Sequence, residues 1–150
     1  MGRAHTMVYR FVDGICIMVN TVTAPSDDEW NHHCKELETV HASLRGVLVF
    51  TAGGGPTSKQ RERLRAAVPS SIPPTAIMTD SALVRGIITS INWFVNNPLS
   101  AFDHDDLKGA LRHIARGGAT VDPAKVVGTL RELANELSVK LPTTWPNFGA

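Results

Sequence analysis

Four apolar residues in a row, Val47-Leu48-Val49-Phe50, lead through Thr51-Ala52 into three glycines, Gly53-Gly54-Gly55, and then Pro56-Thr57-Ser58. An apolar run without alternation suits an inner parallel strand, because both faces of such a strand are covered and neither set of side chains meets water. The glycines let the chain leave the strand, and Thr57 with Gln60 three positions on has the spacing of a helix capping box. Strand, glycine loop and helix in that order put the loop at the carboxyl end of an inner strand, where open α/β sheets carry ligand or contact sites.

The segments before this stretch read as a hairpin. Residues 7–12 and 15–22 are apolar and β-branched, and Asp13-Gly14 between them suits a type I′ turn, whose two central residues need positive φ. Tyr9 and Phe11 then share one face of the first strand, with Val8, Arg10 and Val12 on the other. Cys16 and Met18 share a face of the second, which makes Cys16 a small buried hydrophobe rather than a nucleophile. Ser26, with Glu29 three residues on, caps a helix whose stripe is Trp30, Cys34, Leu37, His41 and Leu44.

Beyond the loop, a helix with Leu64, Ala67 and Val68 on its apolar side turns Lys59, Arg61, Arg63 and Arg65 outward. A proline-rich connector, residues 69–74, delivers the chain to a strand over residues 75–79. Asp80-Ser81 ends that strand and caps a third helix whose apolar residues, from Leu83 to Val95, cover more than one stripe. Trp93 lies off the densest stripe and is the candidate interface aromatic, for instance of a homodimer. Asn96-Asn97-Pro98 terminates this helix, residues 99–102 read as an edge strand, and Asp103 caps a helix with Leu107, Ala110, Leu111 and Ile114 on its core side. Asp122-Pro123 starts a last amphipathic helix ending near Val139. The tail, with Trp145 and Phe148, is tied to the body or docks a partner.

The order β-β-α-β-α-β-α-β-α-α predicts an α/β fold. Its mixed sheet has four to five strands, an initial antiparallel hairpin followed by parallel crossovers, flanked by helices. The α/β domain covers residues 1–118, and residues 119–150 are a C-terminal helix and tail packed on it or extending it. With 150 residues, 43% of them hydrophobic, the chain can bury a core without disulfide staples. A formal charge of +1 gives no reason to expect a nucleic-acid partner, since phosphate-backbone binding relies on clustered Lys and Arg. No apolar stretch is long enough to span a membrane, the first six residues are too polar for a signal peptide, and two cysteines without CxxC spacing read as reduced thiols. The expectation is a cytoplasmic protein without integral membrane association.

The chemical groups are sparse. Gly53, Gly54 and Gly55 lack the Lys-Ser/Thr ending of a phosphate-binding P-loop and the alternating spacing of a dinucleotide fingerprint. They serve a turn, a protein or phosphoryl contact, or a small anion held by backbone N–H groups with help from Lys59. Thr57 and Ser58, at a helix start, are candidate phosphorylation sites, as is Ser81. Asp80, Ser81 and Arg85 sit on the next strand end and belong to the same contact or anion-binding rim. No Gly-x-Ser-x-Gly elbow is present, and a serine near an aspartate is not a triad until a histidine base stands in reach. His32-His33-Cys34 cannot all reach one ion from a helix, and His104 among Asp103, Asp105 and Asp106 reads as a helix start. Neither a catalytic residue, nor a metal site, nor a cofactor is assigned.

Several phrases carry a resemblance. Val47 to Pro56 followed by Gln60-Arg61, Thr79-Asp80-Ser81-Ala82-Leu83-Val84-Arg85-Gly86, Trp93-Phe94, and Ala101-Phe102 before Leu107-Ala110-Leu111 resemble the SpoIIAA-like group of the STAS and SEC14-related superfamily. The resemblance covers about residues 7–114. It implies a mixed sheet with helices along it and no common catalytic apparatus. Anti-anti-sigma-factor relatives carry a phosphorylatable Ser or Thr after the central strand, usually after an Asp at a helix start. Here Thr57 and Ser58 hold that place behind Gly55-Pro56, while Asp80-Ser81 repeats the phrase one strand later. The expected function is a noncatalytic regulatory or protein-interaction module acting through the rim at Gly53–Ser58 and Asp80–Arg85, with a protein partner. The competing class is a small-ligand, lipid or phosphate-binding domain, or a weak hydrolase.

Overall fold

Asp13 and Gly14 take φ of 51° and 82°, the paired positive values of a tight hairpin turn. They fold strand β1 (Met7–Val12) back on β2 (Ile15–Asn20) in antiparallel register, Val12 facing Ile15 and Met7 facing Asn20. The computed structural model describes residues 5–68, 72–93 and 99–146. After the hairpin every strand is parallel: β3 (Gly46–Thr51), β4 (Thr75–Met78) and the edge strand β5 (Ser100–Phe102) follow in spatial order β1-β2-β3-β4-β5. The protein is thus an α/β fold built on a five-stranded mixed sheet.

Helices α1 (Asp27–Val40), α2 (Ser58–Ala67) and α3 (Ala82–Asn92) make the crossovers, and α4 (Leu107–Ala115) and α5 (Pro123–Leu137) follow the last strand. Alternate residues of the inner strands divide between the two faces, as the pleat requires. Ile15, Ile17, Val19, Leu48, Phe50 and Met78 meet α4 and α5, whose Leu107, Ile114, Val127 and Leu130 are almost fully buried. Cys16, Met18 and Val49 turn the other way, toward α1, α2 and α3. The last helix therefore shares the main core, and the tail does too, because Trp145 is buried against it.

The helix starts are set by local chemistry. Ser26 Oγ accepts the amide of Glu29, and the Glu29 carboxylate in turn accepts from Thr6 and Met7, locking α1 to the start of β1. Asp122 caps α5 with Pro123 in its first turn. α4 departs from expectation: its cap is Asp106, which accepts from Gly109, whereas Asp103 closes the preceding turn and pairs with Arg85. α1 ends at Val40, so His41 falls in a 3-10 turn (His41–Ser43) and Leu44 follows it. Asn92 holds both the N–H and the C=O of Leu99, clamping the end of α3 to the start of the edge strand. Expectations for Pro69, Phe94, Val95, Asn96-Asn97-Pro98 and Phe148 lie outside the described residues.

Candidate functional site

The glycine loop is fixed by its own backbone. Thr51 donates its hydroxyl to the carbonyl of Gly54 at 2.6 Å and accepts the amide of Gly53 at 3.1 Å. The amides of Ala52 and Gly54 donate to the carbonyls of Asn20 and Thr21, carrying the β2–β3 ladder one step past the sheet. Gly53 has φ of 144°, a region closed to most side chains. A Cβ on Gly54 would stand 2.0 Å from the carbonyl oxygen of Thr23, so this glycine exists to admit the neighbouring backbone. Two of the three amides that an anion cradle would use are therefore already engaged, Gly53 by Thr51 and Gly54 by Thr21.

The loop packs against the first turns of α3, because a Cβ on Gly55 would lie 3.1 Å from Ile87 and 3.8 Å from Val84. Thr57 completes the capping box with Gln60 and is exposed. Ser58 is exposed and accepts from Arg61, Lys59 is exposed, and Ser81 caps α3 by accepting from Val84. Arg85 reaches the Asp103 carboxylate at 2.8 Å. Trp93, at the far end of α3, is 86% exposed. Of the basic residues on α2, Arg63 pairs with Glu38 and Arg61 folds back on the carbonyl of Pro56.

His104 is the residue that sequence reasoning placed least well. Its Nδ1 lies 3.0 Å from the Asp80 carboxylate and its Nε2 lies 2.8 Å from the carbonyl oxygen of Thr51, while its ring stacks on Phe50. An aspartate–histidine pair next to Ser81 has the look of a hydrolytic dyad. The nitrogen that would take a serine proton, however, is occupied by the Thr51 carbonyl. This histidine ties the end of β3 to the end of β4. No sequence spacing signals the contact, since 53 residues separate its partners.

Behind the rim, between the sheet and helices α1, α2 and α3, lies a cavity of about 360 Å³, in the range of drug-sized ligand sites. Its floor is made by Met18, Val49 and Ile77, its roof by Trp30, Leu64 and Ile88, and the loop Gly54-Gly55-Pro56 borders one end. The cavity follows from residue choice. Floor residues are of middling size, and α1 is anchored through Trp30 Nε1, which donates to the carbonyl of Gln60 at 2.8 Å. Gln60 itself donates to the carbonyl of Pro25 and to Asp27, so α1 and α2 are fastened to each other near their starts.

The lining is mainly apolar, with Arg65 of α2 among its residues. Burial pushes the thiol of Cys16, a lining residue, up to about 12 and that of Cys34, outside the lining, to about 11, so neither is a nucleophile at neutral pH. Both thiols are free. Burial likewise pushes His33 down to about 4, leaving its imidazole neutral. Two lining groups are unsatisfied among the described residues: Asn20 Oδ1 and His33 Nδ1 are buried and have no hydrogen-bond partner. Among the described residues no cluster of three metal-ligating side chains occurs. His32 instead pairs with Glu36, one turn on along α1, at 2.7 Å. No described helix is long and apolar enough to cross a membrane.

No protein-family model matches the chain, and no curated protein matches it. Among solved structures, an enoyl-CoA hydratase from Mycobacterium avium subsp. paratuberculosis K-10 is similar over 92% of this chain and 88% of its own, at 11% identity and a TM-score of 0.38. A likeness that loose carries no argument about fold or function.

Proposed function

We propose that this chain is a noncatalytic regulatory module of the SpoIIAA-like kind, in which the rim at Gly53–Ser58 and Asp80–Arg85 faces a protein partner and the chamber behind it takes a small, mainly apolar molecule. The observation that carries this reading is the 360 Å³ cavity bordered by the glycine loop. A ligand there touches the underside of the same loop whose outer side is the partner surface, so occupancy and partner contact are read by one element. Trp93, exposed on α3, is the proposed contact with a second copy. The exposed hydroxyls of Thr57 and Ser58, and the cap Ser81, are the proposed switch positions, where a phosphate at a helix start is electrostatically favoured. The engagement of His104 Nε2 by Thr51 argues against the hydrolase alternative.

Native mass spectrometry of the protein mixed with para-hexylphenol, para-hexylanisole and hexylbenzene tests the ligand half of this reading. One-to-one complexes that survive dilution are expected for at least one of the three. No complex with any of them, or stepwise multiple adducts without a one-to-one plateau, would overturn it.

A further inference from the structure

Among the described residues, two polar side chains of the mainly apolar lining carry a buried atom with nothing to bind. Asn20 is 4% exposed and His33 is 5% exposed, yet Asn20 Oδ1 and His33 Nδ1 find no partner. A buried polar group left unpaired costs stability, and a protein that needed only a core would place a leucine or valine there. Asn20 ends β2 and is paired in register with Thr51, directly beneath the glycine loop, while His33 sits halfway along α1. Both lie on the lining of the same chamber. The third unpartnered buried side-chain atom among the described residues, His113 Nε2, is on α4 and is not part of that lining.

We propose that the chamber is a site for an uncharged apolar molecule carrying a hydroxyl, an alcohol or a phenol, whose hydroxyl hydrogen-bonds to Asn20 or His33. This rests on the reading of the cavity as a ligand site and adds to it the ligand's head group. A hydroxyl both donates and accepts, so it satisfies the Asn20 amide through either of its ends and a neutral imidazole through either tautomer. An ether accepts but does not donate, and leaves Asn20 Oδ1 unpaired. A carboxylate brings a charge into a lining that already holds His33 neutral. The arginine of the lining, Arg65, belongs to the last turn of α2. α2 starts at the loop and runs back along β3, so Arg65 lies at the end of the chamber away from Asn20.

Isothermal titration of the full chain with three probes that share a para-hexylphenyl body, para-hexylphenol, its methyl ether para-hexylanisole, and para-hexylbenzoate, distinguishes the head groups. Wild type is expected to bind the phenol at least about tenfold more tightly than the ether or the carboxylate, the discrimination that one buried hydrogen bond supplies. Asn20→Leu is expected to bind the ether no worse than wild type does and to lose most of the preference for the phenol. Asn20→Ala serves as a second variant, and circular dichroism verifies that each is folded. Equal affinity for phenol and ether in wild type, or tightest binding of the carboxylate, would overturn the head-group assignment while leaving the ligand site standing. Binding of none of the three would overturn both.

Discussion

Trp145 donates its Nε1–H to the backbone carbonyl of His104 at 2.7 Å while its ring meets Phe50 edge-on, at 5.7 Å between centroids. His104 in turn contacts Thr51 and Asp80. A residue near the carboxyl terminus thereby braces the loop between β5 and α4, and that loop braces the ends of β3 and β4.

Removing this brace is costly. Trp145→Ala is expected to destabilise the protein by about 3 kcal/mol or more, the usual cost of deleting a buried large aromatic. Trp145→Phe keeps most of the packing, loses one hydrogen bond, and costs about 1 kcal/mol. Urea denaturation of the three proteins measures both, and equal stability of Trp145→Ala and wild type would show that the tail contributes nothing to the fold.

Much of the fold was legible because its signals are local. Asp13-Gly14, Ser26 with Glu29, Thr57 with Gln60, and Asp122-Pro123 each act within a few residues, and each does in the structure what its chemistry requires. Asp103 is not the cap of α4: Asp106 caps it by accepting from Gly109, while Asp103 pairs with Arg85, which lies 18 residues away in sequence. The place of the glycine loop, between the end of β3 and the start of α2, was legible from its neighbours alone. The chamber was not, because a void is the difference between side-chain volumes on a sheet floor and three helices, and no stretch of sequence encodes it. In the sequence His33 stands within the adjacent residues His32-His33-Cys34, whereas in the structure it is buried with no partner for Nδ1 among the described residues.

Two glycines should respond in opposite directions. Gly54→Ala places a Cβ 2.0 Å from the Thr23 carbonyl and forces the β2–α1 connection to move, so a loss above about 2 kcal/mol is expected. Gly86, inside α3, has nothing within 4 Å of its would-be Cβ, and Gly86→Ala is expected to gain about 0.5–1 kcal/mol through helix propensity alone. Thermal melts of both variants check the contrast, and a neutral Gly54→Ala would contradict the close backbone approach.

His33 makes stability depend on pH. Burial holds its folded-state value at about 4 against an ordinary 6.5, so between those values the unfolded chain takes up a proton that the folded chain refuses. Stability therefore falls as pH falls from 6.5 toward 4, by at most about 3 kcal/mol, and this contribution is flat above that window. His33→Phe removes this part of the slope. Denaturation midpoints at several pH values test it, and an unchanged slope in His33→Phe would assign the dependence to other groups.

The central claim is that a small molecule occupies the chamber rather than the surface. Methyl NMR of the full chain during titration with para-hexylphenol measures this directly, since Val49, Ile77 and Ile88 line the cavity whereas Val22 and Leu83 are each 71% exposed. Saturable shifts and intermolecular contacts confined to Val49, Ile77 and Ile88 are the predicted result. Shifts confined to Val22 and Leu83, or none at all, would contradict it.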